Sequence, residues 1–166
     1  MAKNIFQKYY GNDRASKVVY GTILIYAYLI SQHYTNHFTP VSLMFGTIFA
    51  SVAIVIAEIY AEIIGKTIKQ KKPLTKQQRS EIEQDSFAII SVSLWPSFIF
   101  LLSYLGIYNT QVAFNISYIF LITTLVVFSY WASRLSGFSA KRSILTSLIV
   151  SAIGVSVVFI KYFLSH

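Results

Sequence analysis

Apolar residues along this chain gather into five long blocks, separated by short stretches where charge and turn-forming residues concentrate. The blocks cover about 18–32 (VVYGTILIYAYLISQ), 41–65 (VSLMFGTIFASVAIVIAEIYAEIIG), 86–108, 111–133 and 143–164. Apart from the shorter first block, each reaches the ~20 residues with which an α-helix crosses the hydrocarbon core of a bilayer. In lipid a segment must satisfy its own backbone polar groups, which favours helices. The two-residue alternation of a membrane β-barrel strand is absent. The pattern predicts an all-α integral membrane protein, a single domain over 1–166 with five transmembrane helices. The short first block places Lys17 and His33 at the two interfaces.

The connection KTIKQKKPLTKQQRSEIEQD (66–85) has readable local structure. Pro73 ends the preceding helix, and Thr75 with Gln78 three positions on forms a capping box. No breaker follows until Pro96, so the third helix is predicted to start in water at Lys76 and run into the membrane. To Leu105 that is about 45 Å at 1.5 Å per residue. Glu81, Glu83 and Asp85 read as a solvated helix end that balances neighbouring lysines. On the other side, His33 and His37 stand four apart, a spacing that can bind a metal if helical. Pro40 and the absence of a helix signal predict instead an irregular connection with no metal there.

Composition strengthens the membrane reading: 55% of the 166 residues are hydrophobic and 12% charged, against about 25% charged in soluble domains. The mean hydropathy is +0.58. No cysteine is present, which excludes disulfides, thiolate metal sites and cysteine nucleophiles. The opening MAKNIFQKYYGNDRASK lacks a compact apolar core before a small-residue cleavage site, so no cleaved signal peptide is expected. The net charge of +8 reflects topology. Every Lys and Arg except Lys161 lies before the first block, between the second and third, or between the fourth and fifth. By the positive-inside rule these stretches and the N-terminus are cytoplasmic and the C-terminus is outside, as in the plasma membrane of a bacterium. Anionic lipid headgroups, rather than nucleic acid, are the expected partner. Tyr9, Tyr10, Tyr104, Tyr108, Tyr130 and Tyr162 fall near predicted boundaries, where aromatic belts form.

No nucleophile elbow, phosphate loop, HExxH or paired-cysteine motif occurs, so an enzyme is not expected. The chemistry concentrates on the second block. An acidic side chain within a spanning helix costs roughly 2.5–3.5 kcal/mol, and this block carries Glu58 and Glu62. On a helix Thr47, Ser51, Glu58 and Glu62 share a sector about 60° wide. Beside them runs a stripe of Gly46, Ala50, Ala53, Ala57 and Ala61, suited to close helix approach. Two carboxylates one turn apart can share a divalent cation or hold one proton between them. Glu62 stands one turn before Lys66, so an i, i+4 ion pair is its simpler reading. Glu58 lies roughly 10 Å deeper than Gly65 with no basic residue in its own helix, which makes it the principal candidate. Asn115 on the fourth helix, read as interhelical glue or as lining a path, joins Thr47 and Ser51 as a source of neutral oxygens. Pro96 removes a backbone hydrogen bond and predicts a kink, with Ser91, Ser93 and Ser97 able to satisfy the freed groups. Ser147, Ser151 and Gly154 give the fifth helix a small-residue face, and Lys161 snorkels outward.

The stretch IVIAEIYAEIIGKT resembles the second-helix pattern of the vacuolar iron transporter family, in which small residues lead into Gly-Glu-Tyr; here Ala57, Glu58 and Tyr60 match in part. The segment GFSAKRSILTSLIVSAIGVSVVFIKYFL is similar to that family's closing helix. The five-span topology is shared too. The family's first-helix aspartate has no counterpart in VVYGTILIYAY, its second-helix methionine ligand has no clear one, and its long carboxylate-rich cytoplasmic domain is reduced to about twenty residues. The resemblance implies a homodimer that exports Fe²⁺ or Mn²⁺ in exchange for protons. Two functions are therefore expected from the sequence. One is a cation transporter or channel-like protein with a carboxylate site at Glu58 and Glu62. The other is a non-transporting integral protein acting through partners, as an accessory or immunity-type subunit.

Overall fold

A computed structural model describes residues 12–33 and 38–164, with side chains at 14–33, 38–152 and 156. The described chain forms α1 (Asn12–His33), α2 (Pro40–Gln70), α3 (Lys76–Ser86), α4 (Ala88–Tyr104), α5 (Thr110–Leu135) and α6 (Ala140–Leu164). No strand occurs among the described residues.

Local chemistry sets the ends of these helices. At α2, Thr39 and Ser42 bond reciprocally in a capping box, with Pro40 at the first helical position, where its missing N–H costs nothing. The Thr75–Gln78 capping box opens α3 as the sequence predicts. Asn109 caps α5 by accepting from Val112 N at 2.9 Å. α4 and α5 both end in Schellman turns: Gly106 and Gly137 take φ +77° and +85°. There Ile107 N and Phe138 N reach back to the carbonyls of Leu102 and Ser133. A side chain at either glycine would strain that left-handed backbone.

α1 is the central element and touches all five others. α2 lies mainly against α4 and also against α1, while α6 lies mainly against α5. Two glycines set this spacing. A Cβ on Gly21 would stand 2.7 Å from Ile89 of α4, and one on Gly46 would stand 2.0 Å from the Tyr28 hydroxyl of α1. The core between the helices is built from Ile25, Leu29, Ile30, Phe100, Phe114 and Leu121. Ser147 and Ser151 of α6 are buried as expected; Gly154 lies outside the described side chains. The end of the molecule that holds Lys17 also gathers Lys66 and the α5–α6 turn, because α1 and α5 run antiparallel. His33 at the far end of α1 meets Tyr118 and Gln111 at the start of α5, each at 3.0 Å.

Among the described residues, three helices are long and apolar enough to cross a membrane: α2, the α3–α4 rod and α5. Their large exposed apolar side chains, such as Phe49, Ile56 and Tyr60 on α2 and Ile119 on α5, match a lipid-facing surface. α1 differs: only 15 uncharged positions (18–32) lie between Lys17 at one end and His33 at the other.

Several boundaries move. α1 starts six residues before the expected block, so Lys17 is a helical residue, and it is buried against its neighbours. α2 continues to Gln70, turning the first part of the expected connection into helix, and closes on Lys71 in the left-handed region (φ 50°). The helical run from Lys76 is divided at Phe87 into α3 and α4 and stops at Tyr104. Pro96 lies inside α4. Tyr108, expected inside the third helix, turns back and donates to Ile99 O at 2.9 Å.

Candidate functional site

The two glutamates of α2 open into one cleft of about 400 Å³, lined by Ser16, Lys17 and Tyr20 of α1 and by Glu58, Glu62 and Lys66 of α2. Position along the helices explains the gathering. Lys17 stands one turn inside the start of α1, and Glu62 and Lys66 stand two turns and one turn before the end of α2. Because the two helices run antiparallel, these positions share a depth.

Glu62 is saturated by cations. Its Oε1 meets the Lys66 ammonium at 2.7 Å, the expected i, i+4 pair, and its Oε2 accepts from the buried Lys17. Lys17 also donates to Ser86 Oγ at 2.7 Å, at the last residue of α3. One ammonium therefore ties α1 to α2 and α3. A buried lysine is tolerated where a carboxylate and a hydroxyl replace its lost water. Beside it Arg14 Nε meets Asp85 Oδ1 at 2.7 Å, a second ion pair between α1 and α3.

Glu58 is placed differently. It is half-buried and lines the same cleft, yet no hydrogen bond or ion pair engages it among the described residues. With all four groups ionised, two lysines and two glutamates leave the cleft electrically neutral. The carboxylate of Glu58 thus supplies the charge that balances the second lysine, without being fixed by direct contact.

The other residues of the expected polar stripe do not join this cleft. Thr47 and Ser51 are buried. Thr47 donates to Leu43 O at 2.7 Å. Ser51 donates to Ile48 O at 2.7 Å and accepts from Ser93 of α4 at 2.9 Å. The Thr47 hydroxyl is used within α2 and that of Ser51 serves the α2–α4 contact, and Ser51 stands about 10 Å along the axis from Glu58. Asn115 is exposed in the second turn of α5, at the end of the bundle remote from Glu58, so it neither bridges helices nor lines the cleft. Pro96 is buried within α4 and away from the cleft lining. His33 uses both ring nitrogens, on Tyr118 and Gln111, and stacks on Phe114 with ring centres 4.3 Å apart; His37 lies outside the described residues. Among the described residues no three His, Cys, Asp or Glu side chains come together as a metal site would require.

Lys17, Ser86 and the Arg14–Asp85 pair were missed by sequence reasoning. Lys17 and Glu62 are 45 positions apart, beyond any local pattern. Depth was the available signal: a cation where α1 begins and an acid where α2 ends face the same boundary in antiparallel neighbours. Compared with known protein families, with characterised proteins and with solved structures, the chain shows no significant match.

Proposed function

We propose that this is a five-span membrane protein, N-terminus cytoplasmic and C-terminus outside, that moves a cation through a carboxylate site at Glu58. The observation that carries the reading is an acidic side chain of an apolar helix, open to a polar cleft and engaged by no cation. Such a group in a spanning helix is costly unless it is used. Glu62 acts as the fixed counter-ion of Lys17 and Lys66, and Glu58 as the exchanging group.

A proton suits this cleft better than a metal. The four charged groups sum to zero, so a divalent ion would add two charges beside two ammoniums. A proton on Glu58 changes the sum by one and needs no further ligands. The exchange of Fe²⁺ or Mn²⁺ that the iron-transporter resemblance implies would require Glu62 to release its lysines first. Placement in a bacterial plasma membrane follows from the charge distribution alone.

One observation favours a second reading. Ala53, Ala57, Ala61 and Gly65 of α2 are exposed, a small-residue stripe on which another membrane helix can pack. A partner subunit or a second copy seated there would make the protein an accessory or immunity-type component, with the Lys17–Glu62 cluster purely structural.

Replacement of Glu58 by Gln separates the two. In proteoliposomes with an imposed potential, proton entry read by an enclosed pH dye, and Mn²⁺ entry read by a metal-sensitive dye, are expected to fall to the level of empty vesicles. Gel filtration and helix content should stay unchanged. Parental flux in the variant, or no flux in the parent, rejects the transport reading and leaves the second.

A further inference from the structure

A second cleft, of about 320 Å³, lies at the end of α5 and is lined by Tyr130, Trp131, Arg134 and Leu135. A four-residue turn follows and leads into further positive charge at the start of α6. Arg134 Nη1 donates to Phe138 O at 2.9 Å, and the Arg142 guanidinium sits 4.5 Å from the centre of the Phe138 ring. Both guanidiniums thus converge on Phe138, with Lys141 adjacent to Arg142 in the first turn of α6.

Among the described residues none of these cations is paired with an acid. From Ser86 to the end of the sequence there is no Asp or Glu. The acids near the same end of the bundle are committed or distant in the chain: Asp85 pairs with Arg14 and Glu62 with Lys17 and Lys66. Arg134, Lys141 and Arg142 form no ion pair among the described residues. The contrast with Arg14 and Lys17 is sharp, since those cations each hold a carboxylate. Three cations without an ion pair among the described residues, Arg134 in a cleft walled by Tyr and Trp and the other two at the start of α6, form an arrangement suited to an anionic headgroup at a membrane boundary. The guanidinium fork takes the phosphate oxygens, the aromatic rings lie at headgroup depth, and the leaflet supplies the negative charge.

We propose that the α5–α6 turn holds the headgroup phosphate of one anionic phospholipid, bound by Arg134, Arg142 and Lys141 above Tyr130 and Trp131. This rests on the membrane reading given above and assigns the lipid a defined seat rather than a diffuse basic surface. The lipid binds in preference to a zwitterionic one because only its headgroup brings net negative charge.

Tryptophan fluorescence tests this directly, because the chain has two tryptophans. In a Trp95→Phe background Trp131 reports alone. The full-length protein in nanodiscs of dioleoylphosphatidylcholine is titrated with phosphatidylglycerol, and separately with phosphatidylcholine, brominated high on the acyl chain. Preferential quenching by the phosphatidylglycerol, about fivefold or more in relative affinity, is expected. The triple variant Arg134→Gln, Lys141→Gln, Arg142→Gln should quench equally with both lipids. A single Arg134→Lys variant, which keeps the charge and loses the fork, should show an intermediate preference if the triple variant fails to fold. Equal quenching in the parent overturns the proposal, as does a preference that survives removal of the three cations. Displacement by millimolar inorganic phosphate would assign the cleft to a soluble anion and also overturn it. No quenching by either lipid means that the chain has not entered the bilayer, which rejects the membrane reading and this proposal with it.

Discussion

At the scale of single residues, Lys17 and Glu62 show what a membrane-type sequence hides. Glu62 could be paired on paper with Lys66, and that pair is present at 2.7 Å. Its stronger engagement, with the buried Lys17, joins residues 45 positions apart and leaves no trace in any window of the sequence. The pair also governs stability. Lys17→Met would leave Glu62 with Lys66 alone and Ser86 without its donor. Removing one partner of a buried ion pair costs about 3–5 kcal/mol; with Lys66 remaining, a loss near about 3 kcal/mol is expected, read as unfolding in mixed detergent micelles. Adding Glu62→Leu should recover much of that loss, since no charge is then left buried. A double variant no better than the single one would show that the pair does not govern this region. Glu58 was legible for the opposite reason: an acid deep in an apolar block with no basic residue one turn away is conspicuous in sequence, and among the described residues it shares a cleft with Lys17 and Lys66 without pairing with either.

At the scale of the helices, the apolar blocks located the long elements, and Thr75–Gln78 marked a start to the residue. The ends were harder. Lys66 to Gln70 are polar enough to read as a connection, yet they continue α2, because a helix that leaves an apolar layer into water has no reason to stop until a breaker arrives. Pro96 lies inside α4, and the division between α3 and α4 falls at Phe87, beside the Ser86 that receives Lys17. Helix spacing depends on contacts of single atoms. At Gly46 the Tyr28 hydroxyl occupies the space a side chain would need. Gly46→Ala should therefore separate α1 from α2 at a cost of about 1–3 kcal/mol, as overpacking does. Tyr28→Phe, which removes the blocking oxygen, should restore part of it. Thermal melting of the two single variants and the double variant measures the coupling, and strictly additive effects would show that the contact does not set the spacing.

At the scale of the whole molecule, the segregation of charge was the most legible property of the sequence. It is seen again in the packing: Lys17, Lys66, Arg134 and Arg142 all stand at one end because the helices alternate in direction. What could not be read was the order of the layers. The least hydrophobic of the long helices, α1, is the one at the centre. Hydropathy measures the company a segment would keep alone in lipid, whereas the neighbours of α1 bury Ala15, Val18, Ile25 and Leu29 on one of its faces and leave Ser16 and Tyr20 exposed. The largest set of exposed apolar side chains belongs to α2, among them Phe49, Ile56, Tyr60 and Ile68.

That central position has a consequence for biogenesis. When α1 leaves the ribosome it offers the translocon only a 15-residue uncharged block, with polar residues inside it and an unmatched lysine at one end, short of the ~20 residues that a spanning helix needs. The acid that matches Lys17 is made 45 residues later. The physical expectation is that α1 and α2 enter as a hairpin, the long second helix carrying the short first one. Translated with microsomes or inverted vesicles, residues 1–38 alone should remain extractable by alkaline carbonate, whereas residues 1–75 should resist it. Equal resistance in both would mean that α1 inserts unaided and that its burial is acquired only afterwards.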